Sequence, residues 1–201
     1  MKSGMIDFWF SIGSTYTYLT VSRLEGVSAT EGIHFNWRPF SVRAIMREQN
    51  NVPFATKPVK MRYMWRDIER RAAMYGLRVN VPAPYPLKEF DLANRLALLG
   101  LAEGWGKSFI LASYRRWFVE GQEPGLEPNL SASLAEVDRE TVRTVERASG
   151  GDVVETYEAA TAEARKLGIF GSPTFAVGGE LFWGDDRLDD AMTWCKKGSL
   201  A

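Results

Sequence analysis

Gly168-Ile169-Phe170-Gly171-Ser172-Pro173-Thr174-Phe175-Ala176-Val177 runs into Gly178-Gly179 and then into Glu180-Leu181-Phe182-Trp183. Two short apolar runs joined by a Gly-Gly pair read as a β-hairpin, because the tight turn needs positive φ at both central residues. Pro173 has no N–H to give to a ladder, so it belongs at the first residue of a strand or at a cis bond.

The other end of the chain carries a matching feature. Ile6 to Phe10 is short, aromatic and nearly all apolar, as expected of a strand buried on both faces of an α/β sheet. It leads into Ser14-Thr15-Tyr16-Thr17 and then into a helical pattern over Tyr18 to Ala29, apolar at Tyr18, Leu19, Val21, Leu24 and Val27. A strand that runs into a helix start presents free N–H groups and the positive end of the helix dipole, so a hydroxyl or thiolate held there is activated. Ser14 is therefore the first candidate for chemistry. The alternative is that Ser14 and Thr17 are ordinary helix caps. Ile33 to Trp37 alternates apolar and polar residues as a strand with one wetter face does. The resulting βαβ unit makes its two strands parallel. His34, the single histidine, reads as an exposed strand residue, with neither nucleophile nor metal-ligand spacing around it.

Between these ends the period is helical. Met46 to Thr56 is an irregular polar stretch. Pro58 to Tyr75 is a helix with Pro at its start, apolar at Met61, Met64, Trp65, Ile68 and Ala72, and stopped by Gly76. Val81-Pro82-Ala83-Pro84-Tyr85-Pro86 is a stiff extended connection. Further helices are predicted at Glu89 to Ala102, Lys107 to Glu120, Ser131 to Val137, Arg139 to Ala148 and Asp152 to Leu167, with a surface loop at Gly121 to Asn129. Asp185 to Lys197 closes the chain as a helix, with Asp185-Asp186 as its caps. The whole reads as an α/β domain formed by residues 1–45 and 160–201, interrupted by a helical insertion at 46–159.

Composition narrows the function classes. The 201 residues hold 25 Lys plus Arg against 25 Asp plus Glu, so no global basic field argues for nucleic acid or an anionic membrane. One cysteine, Cys195, excludes an internal disulfide and any two-cysteine redox motif; it reads as a structural residue of the closing helix. There is no signal-like apolar segment and no window of 18 apolar residues, so a cytoplasmic, membrane-free protein is expected. No metal site is expected.

Taken together, Phe8-Trp9-Phe10 before Ser14-Thr15-Tyr16-Thr17-Tyr18-Leu19, Trp37-Arg38-Pro39-Phe40, Lys60-Met61-Arg62-Tyr63-Met64 with Asp67 and Arg70, Tyr75-Gly76 before Pro82 to Pro86, Gly168 to Phe175, and Phe182-Trp183-Gly184-Asp185-Asp186-Arg187-Leu188 form a known combination. The chain resembles the family of 2-hydroxychromene-2-carboxylate isomerases and kappa-class glutathione transferases, relatives of the DsbA-type disulfide oxidoreductases. The resemblance spans essentially the whole chain and implies an α/β, thioredoxin-like fold with a large all-helical insertion.

The resemblance also implies a site. Ser14 stands at the place of the first cysteine of the oxidoreductases and would hydrogen-bond the sulfur of reduced glutathione, lowering its pKa by donating to the charged form. Ser172, before the cis Pro173, would offer its backbone to the cysteinyl part. Trp183-Gly184-Asp185-Asp186-Arg187 would hold the zwitterionic γ-glutamyl end, a carboxylate meeting its ammonium and Arg187 or backbone N–H groups meeting its carboxylate. The implied reaction is a cis-to-trans isomerisation in aromatic catabolism, in which the thiolate adds, a bond loses double-bond character and rotates, and elimination returns glutathione. Lys60, Arg43 and Lys57 are candidates for the substrate carboxylate, and Tyr85 and Phe54 for its aromatic part. A kappa-like transferase that consumes glutathione and a non-catalytic binding module are the alternatives, and a homodimer is compatible with the family. The chain departs from the family pattern at Ser11, Thr15, Phe54 and Lys88, differences that leave the glutathione half intact and touch the substrate half.

Overall fold

The computed structural model describes residues 4–51, 54 and 57–201. At its centre is a four-stranded mixed sheet in the order β2-β1-β3-β4, formed by β1 (Gly4–Phe10), β2 (Ile33–Pro39), β3 (Thr174–Val177) and β4 (Glu180–Trp183). The helix α1 (Thr17–Glu31) crosses from β1 to β2, which run parallel with Phe8 opposite Trp37, as the βαβ reading requires. β3 lies antiparallel to β1 and to β4. Gly178 and Gly179 turn the β3–β4 hairpin with φ of 60° and 85°, a left-handed pair that only glycine adopts without cost.

β1 is central, and its residues from Phe8 to Phe10 have no exposed surface. Phe8 stacks on Phe10 and on Phe175 of β3 and meets Trp37 edge-on, joining three strands through one aromatic cluster. α9 (Leu188–Lys197) packs on β1 and β3, while α1 packs on β2. His34 is exposed, as expected of the wetter face of β2.

Between β2 and β3 stand α2 (Val42–Glu48), α3 (Pro58–Met74), α4 (Asp91–Glu103), α5 (Gly106–Glu120), α6 (Asn129–Ala135), α7 (Thr141–Ala148) and α8 (Gly151–Lys166). α4 and α8 return to pack on β2. Two local expectations are corrected. Met46 to Glu48 are helical rather than irregular, because Ser41 caps α2 by accepting the Ala44 N–H and Ile45 is buried; the rest of that stretch falls partly outside the described residues. The closing helix begins at Leu188, preceded by a 3₁₀ turn over Asp185–Arg187, and neither Asp185 nor Asp186 caps it.

Candidate active site

Antiparallel pairing of β1 with β3 sets the end of β1 beside the start of β3, with Trp9 opposite Thr174. The two segments singled out by the sequence, 158 residues apart, therefore meet. Ser14 Oγ donates to the Ser172 carbonyl at 2.5 Å, immediately before the cis Ser172–Pro173 bond. Ser172 Oγ in turn accepts the Ser11 N–H and lies 2.9 Å from Thr17 Oγ1. Neither Ser14 nor Thr17 is a side-chain cap: α1 starts after Tyr16 without one. Both hydroxyls are spent on joining the first turn of α1 to the Pro173 loop.

A cavity of about 580 Å³ opens over this junction. Ser14, Thr15, Ser172 and Trp183 line it together with Arg43, Phe54, Lys60 and Tyr85. Gly13 is also a lining residue, with φ 123°; a Cβ there would come within 2.2 Å of the Phe90 ring, so both conformation and space demand glycine. Tyr85 is held edge-on between Phe54 and Trp65, with centroids 6.0 and 6.1 Å away, and burial pushes its phenol pKa up, so it stays neutral.

Four cations, Arg43, Arg47, Lys57 and Lys60, reach the cavity, and no carboxylate does among the described lining residues. None of the four has an ion-pair partner among the described residues. Arg43 is preset: its guanidinium lies 4.1 Å over the Phe90 ring and donates to the Leu87 carbonyl at 2.8 Å. Lys60 is exposed, with Nζ 5.8 Å from the Phe54 ring centre. Arg47 was not singled out by the sequence; its signal is the i, i+4 spacing from Arg43 once Val42–Glu48 is known to be helical.

The Gly184–Arg187 segment divides. Gly184 N–H donates to the Pro173 carbonyl at 2.9 Å, fixing the segment to the same loop. None of Gly184, Asp185, Asp186 and Arg187 is among the described lining residues of the cavity, and the most buried of the four is Asp185. It is buried and binds Arg23 Nη2 and Thr20 Oγ1 at 2.9 Å each, with the Tyr75 hydroxyl at 3.3 Å. Asp186 and Arg187 are half exposed, and Arg187 pairs with Asp190 at 2.9 Å. Nearby, Tyr16 donates to Asp67 at 3.0 Å, and burial together with that carboxylate raises its phenol pKa. Burial works against the charge on Asp67, yet Arg71 and Tyr16 hold its carboxyl below the usual range.

The departures from the family pattern are accommodated locally. Thr15 is buried and its hydroxyl faces Met64 Sδ at 3.2 Å. Ser11 Oγ is buried without a partner among the described residues. Cys195 is partly buried, and burial raises its thiol pKa, opposite to what a reactive thiol needs. Among the described residues no group of His, Cys, Asp and Glu could hold a metal ion, and no helix is long and apolar enough to cross a membrane.

The model of the DsbA-like thioredoxin domain matches residues 5–192. The chain belongs to the DsbA-like thioredoxin family. Within this DsbA-like group, the 2-hydroxychromene-2-carboxylate isomerase of Sphingobium xenophagum is 28% identical over 188 residues, covering 92% of this chain and 94% of the relative. Glutathione S-transferase kappa 1 of Caenorhabditis elegans is 24% identical over 121 residues, 59% of this chain and 54% of the relative. Among solved DsbA-like structures, a 2-hydroxychromene-2-carboxylate isomerase superposes with a TM-score of 0.83 at 24% identity, covering 96% of this chain and 97% of that one. The cytosolic disulfide reductase DsbM of Pseudomonas aeruginosa, in a structure with GSH, superposes at 0.65 with 16% identity over 96% and 98% of the two chains. These likenesses fit the thioredoxin-like sheet with its helical middle.

Proposed function

We propose that the chain is a glutathione-dependent cis–trans isomerase acting on 2-hydroxychromene-2-carboxylate or a related small aromatic carboxylate. One observation carries the reading: Ser14, its hydroxyl against the Ser172 carbonyl, lines a cavity that it shares with aromatic rings and cations and no described carboxylate. The named isomerases that align over nearly the full chain support the reaction class.

The residues present suit glutathione. The cavity is large enough for a tripeptide sulfur end and a small ring system, and Ser172 brings a backbone carbonyl to its edge. Glutathione, when bound, would supply the thiol nucleophile for an addition–elimination route. Ser14 turns its proton from Ser172 toward the sulfur and stabilises the anion, helped by the positive end of α1. Arg43, already oriented on Phe90, receives the substrate carboxylate, with Lys60 as the mobile second cation. Tyr85 and Phe54 flank the aromatic ring. Asp186 and Arg187, half exposed and outside the described cavity lining but just beyond lining residue Trp183 along the chain, would meet the γ-glutamyl end, while buried Asp185 holds their turn in place.

The test is calorimetric titration with reduced glutathione of wild type and Ser14→Ala, read together with thiolate absorbance across pH and with turnover of 2-hydroxychromene-2-carboxylate. Wild type is expected to bind glutathione, lower its thiol pKa and turn over substrate without consuming it. Ser14→Ala is expected to lose the pKa shift and roughly ten- to a hundredfold in kcat/KM, the value of a hydrogen bond to a charged group. A protein that binds no glutathione overturns the proposal. Net consumption of glutathione with an electrophile instead favours the second reading, a kappa-like transferase, which the similarity to glutathione S-transferase kappa 1 supports at the same site.

A further inference from the structure

Beyond Phe10, β1 has left its ladder, yet Ser11, Ile12 and Gly13 remain fully or nearly fully buried. Buried backbone groups need partners; Ser172 Oγ takes the Ser11 N–H, and side chains from α4 and α5 serve the Ile12 backbone and the Ser11 carbonyl. Asn94 Oδ1 accepts the Ile12 N–H at 2.7 Å and Asn94 Nδ2 donates to the Ile12 carbonyl at 3.0 Å, as a neighbouring strand would. The Tyr114 hydroxyl lies 3.0 Å from the Ser11 carbonyl and 3.2 Å from the Ser14 carbonyl. The Ser14 N–H closes the same turn onto the Ser11 carbonyl at 3.0 Å. Tyr114 is fully buried and packs against Trp117 and Phe118, so its ring is fixed and its hydroxyl has one place to be.

We infer that Tyr114, backed by Asn94, is a positioning residue for Ser14: a phenol from the helical segment shares its proton between the two carbonyls that bracket the turn and thereby sets where the Ser14 hydroxyl points. The ring alone would fill the same apolar space, so the hydroxyl accounts for the placement of the turn rather than for the packing. Such support from behind decides whether a donor meets a developing or standing charge within the few tenths of an ångström that matter. The thiolate half of this inference rests on the glutathione reading; the geometric half does not.

The test compares Tyr114→Phe with Tyr18→Phe. Tyr18 belongs to the same aromatic cluster, and its hydroxyl donates to the Arg78 carbonyl at 2.7 Å, away from the turn. Two readouts are taken: amide hydrogen exchange of the peptide spanning residues 11–14, and the thiol titration of bound reduced glutathione. In Tyr114→Phe, exchange over 11–14 is expected to quicken about tenfold and the thiolate fraction at neutral pH to fall about tenfold, with glutathione affinity changed less than about threefold. Tyr18→Phe is expected to melt lower while leaving both readouts at the wild-type value. Unchanged exchange in Tyr114→Phe, an unchanged thiol titration beside faster exchange, or equal changes in both variants would overturn the inference. A wild type that forms no bound thiolate sinks the glutathione reading instead, and the exchange comparison then decides alone whether Tyr114 holds the turn.

Discussion

One proton sits on the Ser14 hydroxyl, and Ser172 accepts it at 2.5 Å. On the proposed glutathione reading, a thiolate in the cavity would compete for that proton, and a charge-assisted bond is the stronger of the two. The cations that line the cavity differ in how ready they are. Arg43 is held by a ring and a carbonyl, whereas Lys60 must give up rotamer freedom to bind. Arg43→Ala is therefore expected to raise KM for a carboxylate substrate about tenfold or more, and Lys60→Ala by a smaller factor, each with little change in kcat; steady-state kinetics on the two variants checks the order, and a larger effect at Lys60 would reverse it. Ser14 was legible from its place between an apolar strand and a helix start. Arg47 was not, because its relation to Arg43 exists only once Val42–Glu48 coils into a helix.

At the scale of elements, α3 is tied to the start of α1 by Asp67, which accepts from Tyr16 just before α1 and from Arg71 one turn along its own helix. These partners hold the Asp67 pKa below its unfolded value. The stabilisation is present above the unfolded carboxyl pKa of about 4 and is lost as pH falls through the folded value. Wild type is thus expected to be more stable than Asp67→Asn by up to about 1 kcal/mol between pH 5 and 8, a small figure because the pair is partly screened by solvent. That gap should close on acidification below about pH 4. Denaturant melts of both proteins across pH measure it, and a gap that widens in acid would contradict the assignment. Helix existence was readable here from apolar spacing at Met64, Trp65, Ile68 and Ala72, all buried in α3. Helix ends were less so: α6 and α7 each differ from their expected starts by two residues, since termini depend on tertiary partners more than on propensity.

For the molecule as a whole, Asp185 is the knot between its two ends. It joins the turn after β4 to Thr20 and Arg23 of α1 and to Tyr75 at the end of α3. Arg23 also lies 4.3 Å over the Tyr75 ring. Removing one member of a buried pair strands the other, so Asp185→Asn is expected to cost about 3 kcal/mol, at the low end for such pairs because Arg23 keeps some contact with water. Urea denaturation is expected to show a lower midpoint at unchanged slope. A loss under about 0.5 kcal/mol would mean that the pair contributes little.

What the sequence determined by itself is what local chemistry dictates: strands from unbroken aromatic runs, the hairpin from Gly178-Gly179, helices from three- and four-residue spacing, a site candidate from a hydroxyl at a helix start, and the exclusion of an internal disulfide from a lone cysteine. Family resemblance extended this to the Ser172-Pro173 loop. Only the tertiary structure decided which side chains those elements bring together. Asp185 read as a cap or a ligand, and burial beside Arg23 made it a structural anchor. Tyr114 and Asn94 read as ordinary residues of helices, and contacts across 100 and 82 positions set them behind the Ser14 turn. Periodicity records which face of an element is apolar; it carries no information about the distant backbone group that a single buried hydroxyl or amide will satisfy.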